Sequence, residues 1–380
     1  SNFGEGNRWG TFPSAALAWR ITEENFMESL PQISNLKLRL GWGRTGNSGG
    51  PTDLATAALT SNTIQYFFYP QGGAAGLGTT RQLNNGYVRT LVDTNLKWET
   101  NEQTNIGIDL GLLDNNLNFT FDYFVRSSKD LLLKQAIRPS AGYTEVYTNF
   151  GEIQNKGFEF SVDYKKKLSG DWTVGATLTG STLKNKIVSI GSDLFFENTG
   201  TTNDGSNVGA IGAPSGTHWN GHSIMREGYA VGSFYGYEVE GVFQTKTEVD
   251  AANAAAVAKG HAQYQNQGTA PGDFKYKDLN DDGFINEKDM TILGDGFPKV
   301  NYGLNLNAAY KNFDFSIYSY GVMGAKIYSY SAMTLSNMFP SDNGTTPNLL
   351  NEVSQSAWTA DNQSTTMSKL SFLDLNYNMR

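Results

Sequence analysis

The sequence of 380 residues contains no cysteine and only 10 prolines. Without cysteine, the chain has no disulfide framework, no cysteine-based metal site and no thiol chemistry. Long apolar runs are also missing: mean hydropathy is -0.41, and no stretch approaches the roughly 18 apolar residues that a membrane-spanning helix requires. These absences exclude a helical membrane protein.

Clusters of basic residues are equally scarce. The chain has 29 Lys and Arg against 37 Asp and Glu, a net charge of -8, and its longest basic run is Lys165–Lys167. This balance argues against a nucleic-acid-binding surface. Residues 1–21 lack a charged segment followed by an apolar one, as a signal peptide would have. Because the features below require export, we expect the chain to be part of a longer precursor.

Apolar and polar residues instead alternate through much of the chain. In the segment NLNFTFDYFVR, Leu117, Phe119 and Phe121 fall on one face of a strand, and Asn118 and Thr120 fall on the other. The polar face carries Asn, Ser, Thr, Asp, Glu and Gly, which suits a water-filled interior better than a packed core. The sequence therefore predicts an all-β fold, an antiparallel transmembrane β-barrel.

Short turns and very long polar connections follow each other along the chain, as in outer-membrane barrels with short periplasmic turns and long extracellular loops. One segment, Thr247–Lys259, predicts a helix with Thr247 as its candidate cap. The candidate strands are Pro13–Ile21, Leu36–Thr45, Gln65–Tyr69, Lys97–Leu112, Leu117–Arg126, Lys156–Lys167, Trp172–Leu183, Ser233–Phe243, Val300–Tyr310, Phe313–Tyr320 and Leu370–Asn378.

One motif is sharp in both residue type and spacing. The segment DLNDDGFINEKD matches a calcium loop, which takes ligands from positions 1, 3, 5, 7, 9 and 12 around a glycine at position 6. A bound calcium would be structural, and the alternative is an acidic turn that needs no metal. At position 12 an Asp replaces the usual bidentate Glu. The candidate ligands are Asp278, Asn280, Asp282, Phe284 through its carbonyl, Asn286 and Asp289.

Aromatic residues in the long connections are candidate platforms for sugars or apolar peptide side chains. Bracing of the loops is the alternative role for these rings. No nucleophile, base and orienting group stand out together, so we expect no enzymatic activity. The candidate substrate-binding residues are Tyr66, Phe68, Tyr143, Tyr147 and Trp219.

The chain resembles the SusC/RagA family of TonB-linked outer-membrane transporters of Bacteroidota. The resemblance is carried by segments 7–27, 36–49, 96–133 and 149–164. It is clearest in 272–328, where the Asp-rich loop is followed by a Gly, a Pro and a strand bearing Tyr302-Gly303. This resemblance implies a barrel of about 22 strands plugged by an N-terminal domain.

The resemblance also implies partners. A SusD-like surface lipoprotein would capture oligosaccharide or peptide, and TonB would pull on a plug region to admit it through the outer membrane. Plug, TonB box and last strands are not recognisable in the sequence. We therefore expect residues 1–380 to form the C-terminal part of the barrel domain, with a calcium-type loop at 272–290.

Two other classes remain as alternatives. One is a surface-displayed or soluble β-rich carbohydrate-binding or adhesin module with a calcium-stabilised loop. The other is a glycoside hydrolase with its carboxylates in the loops. The orientation of the faces separates a barrel from a sandwich, because a barrel turns its apolar side chains outward and a sandwich buries them.

Overall fold

A computed structural model describes residues 6–48, 59–66, 81–88, 90–92, 95–136, 145–168, 170–190, 223–329, 335 and 349–369. The chain divides into two compact units, one of Ser1–Phe195 with Lys299–Met323 and one of Phe196–Pro298 with Gly324–Arg380. Neither α-helix in the described ranges has the length and apolar character needed to cross a membrane.

Strands make up most of the regular secondary structure in the described residues. In chain order they are β1 (Ser14–Arg20), β2 (Ile33–Asn47), β3 (Leu59–Tyr66), β4 (Arg81–Val88), β5 (Thr90–Val92), β6 (Glu99–Leu112), β7 (Leu117–Lys129), β8 (Leu132–Ala136), β9 (Glu145–Asn149), β10 (Glu152–Lys167), β11 (Trp172–Thr182), β12 (Lys184–Ser189), β13 (Ser223–Ile224), β14 (Ser233–Tyr237), β15 (Val239–Val242), β16 (Phe274–Tyr276), β17 (Met290–Gly294), β18 (Val300–Tyr310) and β19 (Phe313–Met323). The α-helices are α1 (Lys246–Ala258) and α2 (Asn351–Ser356), and short 3-10 helices cover Ile21–Glu23, Asn25–Ser29 and Glu287–Asp289.

The first unit is built on a nine-stranded antiparallel sheet with the order β1-β2-β6-β7-β10-β11-β18-β19, in which β12 also pairs with β10. The register places apolar residues opposite apolar residues from strand to strand. Since opposed residues share a face, one face of the sheet is continuously apolar. One row across six strands consists of Leu36, Leu110, Phe119, Val162, Leu178 and Leu304.

The side chains of this apolar face are exposed on the surface of the sheet. Phe121, Phe158 and Leu178 are 45%, 46% and 41% exposed, so no second protein layer covers them within the described part of this unit. They contact mainly each other along the sheet, as in the ring pair Phe121–Phe158 with centroids 5.6 Å apart. An uncovered apolar face is the reverse of a sandwich and suits contact with lipid.

Connections of very different length leave the two ends of this sheet. Short ones at one end join Leu112 to Leu117, Lys167 to Trp172 and Tyr310 to Phe313. Long ones at the other end join Asn47 to Glu99, Lys129 to Glu152 and Ser189 to Val300. The first two long connections carry the β3-β4 hairpin and the β5-β9-β8 sheet. The predicted asymmetry of turns and loops is confirmed for these strands.

Several sequence predictions need correction. The segment Ser233–Phe243 is not one strand, because β14 pairs with β13 and β17 whereas β15 pairs with β16. The alternation runs through Glu238 without a break, so the pattern does not reveal the change of partner. Of the predicted strand Gln65–Tyr69, the first two residues belong to β3, and residues 67–69 lie outside the described residues. Leu370–Asn378 lies outside the described residues.

The second unit contains α1 and a small apolar core. The helix begins at Lys246, and its cap is Thr245 rather than Thr247, because the Thr245 side chain accepts a hydrogen bond from the Glu248 N–H. Ile285, from the predicted calcium loop, is one member of the core. The core cluster consists of Tyr237, Val242, Phe274, Tyr276 and Ile285, with Tyr264, Met290 and Trp358 packed against it.

We predict that a charge on the apolar face of β7 destabilises the protein much more than the same charge on the polar face. Phe121→Lys should lower the free energy of unfolding by about 2–4 kcal/mol, the cost of a lysine facing the bilayer midplane. Thr120→Lys, one residue earlier and on the opposite face, should cost little. Urea unfolding of the complete gene product from lipid bilayers measures both, and equal losses would contradict the assignment of faces.

Candidate functional site

The acidic loop lies between β16 and β17 and is anchored at both flanks. Ile285 is buried in the core cluster, and its N–H donates to the Tyr264 carbonyl at 2.7 Å. Gly283 has φ +89°, a left-handed conformation that favours glycine at the sharp turn of the loop. The backbone therefore bends where a calcium loop requires its glycine.

Asp278, at position 1 of the loop, has one engaged and one free carboxylate oxygen. The Gly283 N–H donates to Asp278 Oδ2 at 2.7 Å. Asp278 Oδ1 is buried and has no hydrogen-bond partner. A buried carboxylate oxygen without a donor is costly, and a cation held at this position would remove that cost.

The side chains at positions 3, 5 and 9 converge on one atom, Asp282 Oδ2. The Asn280 amide donates to it at 3.0 Å and the Asn286 amide at 3.3 Å. Asn286 also donates to the Phe284 carbonyl at 3.1 Å. A hydrogen bond from the Phe284 N–H to Asp282 lowers the pKa of that carboxyl, which stays ionised. The three side chains are thus already gathered in one place.

Asp289, at position 12, closes the loop back on itself. It is completely buried, and its two oxygens accept the N–H groups of Leu279 and Asn286, each at 2.8 Å. An ionised carboxylate has about four acceptor sites, so both oxygens keep capacity for a further contact. The two hydrogen bonds draw both ends of the loop towards the short Asp289 side chain.

The donor set fits calcium better than a transition metal. Calcium takes hard oxygen ligands from carboxylates, side-chain amides and backbone carbonyls, and the loop offers all three. In the described parts of the chain, no group of three or more His, Asp or Glu side chains is arranged to hold a metal. Coordination here would therefore depend on Asn280, Asn286 and the Phe284 carbonyl as well as on the carboxylates.

The loop is tied to helix α1 by a lysine. Lys259 Nζ donates to the Asp281 carbonyl at 2.7 Å and to Asp281 Oδ1 at 3.0 Å. The Asp281 side chain is otherwise 95% exposed, so it points away from the interior of the loop. Asp281 therefore braces the loop from outside and is not a candidate ligand.

None of the five aromatic residues predicted to bind substrate has a side chain in the described part of the chain. Phe68, Tyr143 and Trp219 lie outside the described residues. Tyr66 ends β3 and Tyr147 lies in β9, but their side chains lie outside the described part of the chain. Their role in substrate binding stays a prediction.

On the polar face of the sheet, an arginine joins three strands. Arg39 on β2 contacts Asp109 on β6 through Nε and Nη2, at 2.9 and 2.8 Å. It contacts Asp122 on β7 through Nη1 and Nη2, at 3.0 and 2.9 Å. Both contacts are bidentate, the strong and directional geometry of guanidinium with carboxylate. Sequence reasoning missed this cluster, because its members lie 70 and 83 positions apart.

A glycine makes the second of these contacts feasible. Gly107 on β6 lies directly between Arg39 and Asp122 in the strand register. A Cβ placed there would lie 2.2 Å from Asp122 Oδ1 and 2.7 Å from Arg39 Nη2. The guanidinium therefore crosses β6 through the space that a side chain would fill.

The nine-stranded sheet has one apolar and one polar face and is called the wall below. The chain that forms it matches a known family along most of its length. Residues 1–311 match the family described as TonB dependent receptor-like, beta-barrel. The chain belongs to this family of TonB-dependent receptors, and the resemblance inferred from sequence is confirmed.

Named relatives agree with this assignment. The chain is 32% identical over 337 residues to TonB-dependent receptor P3 of Formosa agariphila, a match that covers 88% of this chain and 30% of the relative. It is 31% identical over 321 residues to TonB-dependent receptor SusC of Bacteroides thetaiotaomicron, covering 83% and 28%. The chain thus spans about 30% of the length of the curated relatives it matches.

Solved structures support the fold. The RagAB peptide importer in its open-open state matches with a TM-score of 0.69 and 20% identity, over 98% of this chain and 35% of that one. The RagAB peptide transporter matches with a TM-score of 0.65, also at 20% identity. The predicted β-barrel class and the outer-membrane location are confirmed. Because the family consists of receptors and transporters, the prediction of a non-enzyme is confirmed as well.

We predict that Gly107→Ala weakens the wall by displacing the Arg39–Asp122 contact. Forcing a methyl group into a filled space typically costs about 1–3 kcal/mol. The matched control is Gly41→Ala on the same polar face, where the nearest atom to a new Cβ is Asn105 Cβ at 3.9 Å. Urea unfolding of both variants in bilayers gives the comparison, and equal stability of the two would refute the proposed role of Gly107.

Proposed function

We propose that the complete protein imports oligosaccharides or peptides across the outer membrane, by binding and gated passage rather than by bond chemistry. The observation that carries this proposal is the two-faced wall of a chain in the TonB-dependent receptor family. An apolar outer face against lipid and a polar inner face are what a water-filled passage requires.

The polar face supports passage of a hydrophilic cargo. Hydroxyl, amide and carboxylate side chains follow one another across it, including a row of Asn118, Asp163, Thr177 and Asn305 on four neighbouring strands. Such groups exchange hydrogen bonds with a sugar or a peptide backbone as readily as with water. Among the structural neighbours, RagAB is described as a peptide transporter. This description favours peptide as a candidate cargo in addition to oligosaccharide.

The partners in this proposal follow from the family resemblance. A SusD-like surface lipoprotein would capture the cargo outside, and TonB would act through a plug region. The long connections leave one end of the wall together, and the predicted aromatic ligand residues belong to them. The common exit of these connections supports capture of cargo at that end.

We also propose that the acidic loop binds one calcium ion with a structural role. Asp278, Asn280, Asp282, the Phe284 carbonyl, Asn286 and Asp289 would hold it. The support is the unpartnered buried Asp278 Oδ1 together with the convergence on Asp282 Oδ2. The ion would neutralise the carboxylates and fix the loop against the core through Ile285.

Deleting the gene from its host is expected to abolish uptake of at least one cargo class. Uptake of fluorescent oligosaccharides and peptides would be measured in the deletion strain, in a complemented strain and in a strain without TonB. Both losses should reduce uptake to the diffusive background, and complementation should restore it. Unchanged uptake of every cargo after deletion, or uptake that survives loss of TonB, would overturn the proposed import.

Calcium is expected to stabilise the complete gene product, by about 2.7 kcal/mol at a concentration 100 times the dissociation constant. Thermal unfolding in calcium and in EGTA measures the effect, and calorimetric titration measures binding. Asp278→Asn should remove both responses. Asp281→Asn, a control in the same loop, should keep them. A wild-type protein that unfolds identically in calcium and EGTA would rule out the site.

A further inference from the structure

Three lysines, Lys156, Lys184 and Lys186, lie at the edge of the apolar face of the wall, where polar residues begin. The row of the sheet containing Leu40, Ile106, Tyr123 and Phe158 is the last apolar one on these strands towards the long connections. The next row, two residues further along each strand, lies about 7 Å away. It consists of Trp42, Thr104, Val125, Lys156 and Lys184.

Two of these lysines face each other without an acidic partner. Lys156 on β10 and Lys184 on β12 are directly opposite in the register, and Lys186 follows on the same face, opposite Gln154. Side chains in opposed positions have Cβ atoms about 5 Å apart, and like charges there destabilise the sheet. Within the described residues, none of the three lysines forms an ion pair.

The neighbouring cations on this face are neutralised, which sets the three lysines apart. Arg44 and Lys129 both contact Glu102, at 3.2 and 3.1 Å. The Trp42 indole N–H donates to the same carboxylate at 3.1 Å. Glu102 is thus shared by several donors, whereas no carboxylate of the described residues pairs with Lys156 or Lys184.

The position of these three lysines indicates which anion could neutralise them. Trp42 lies in the same row, and tryptophan favours the boundary between hydrocarbon and water. A lysine stem can lie along apolar surface and carry its ammonium to head-group level. At that level the abundant anions are lipid phosphates.

We propose that Lys156, Lys184 and Lys186 form a binding site for the phosphate of an anionic lipid head group, in the leaflet next to the long connections. The bound phosphate relieves the repulsion between the opposed lysines and fixes the wall at a defined depth. This site uses the outer face of the wall and does not depend on the proposed cargo import.

The test compares variants of the complete gene product in nanodiscs of phosphatidylcholine, with and without lipid A bearing two phosphates. Lipid retention is read by native mass spectrometry and stability by thermal unfolding. Lipid A should stabilise the wild type, and its affinity should fall about 30-fold in the Lys156→Gln/Lys184→Gln variant, because each lysine contributes about 1 kcal/mol. Lys166→Gln, on the same face of β10 at its other end, should bind like the wild type.

A charge-reversal variant distinguishes a phosphate-binding site from a group of lysines that contact only water. Lys156→Glu places opposite charges in the opposed positions, so it should be more stable than the wild type in pure phosphatidylcholine. Lipid A should then stabilise it little. Equal lipid A affinity of wild type and the double variant would overturn the proposal. Equal stabilisation of the wild type by inorganic phosphate would also overturn the proposal, because the bound phosphate would then not need to belong to a lipid.

Discussion

The structure depends on one constraint, the hydrogen-bonded register that keeps most apolar residues of the sheet on the same face. A strand shifted by one position would turn its apolar side chains to the polar side of the sheet and its polar ones into lipid. In hydrocarbon, backbone groups must also find partners within the protein. Between β1 and β19 the ladder meets both demands at once, because it pairs the backbone and aligns Leu36, Leu110 and Phe119 in one row. The exposure of Phe121 and Phe158 is therefore the expected state of a wall in lipid.

The two faces of the wall are stabilised by different physics. On the apolar face, side chains contact each other along the sheet and leave their outer surface to lipid. On the polar face, Arg39 links β2, β6 and β7 through two bidentate contacts. Because this face is partly open to water, the ion pairs contribute only modestly to stability. Their geometric effect is larger, since each strand pair must keep its register for the guanidinium to reach both carboxylates past Gly107.

The sequence predicted the wall well and the connections poorly. Period-2 alternation is a local signal, and it placed Val300–Tyr310 with the bounds that the structure has. It failed at Glu238, where the alternation continues while the partner strand changes. The acidic loop was recognisable because its candidate ligands are neighbours in sequence, and the convergence of Asn280 and Asn286 on Asp282 Oδ2 follows that spacing. The Arg39 cluster had no such local signal, because only the strand register brings its members together.

The strands β11 and β18 are hydrogen-bonded neighbours, with Thr182 directly opposite Val300, although the whole β12–β17 stretch with α1 lies between them in sequence. The Leu183 N–H still donates to the Lys299 carbonyl at 3.3 Å, so the excursion leaves and returns only one strand spacing apart. Closing a longer loop adds only about 0.6 kcal/mol for each doubling of its length. The part of this insertion that follows β12 could therefore be exchanged for an unrelated one without disturbing a hairpin of the membrane scaffold.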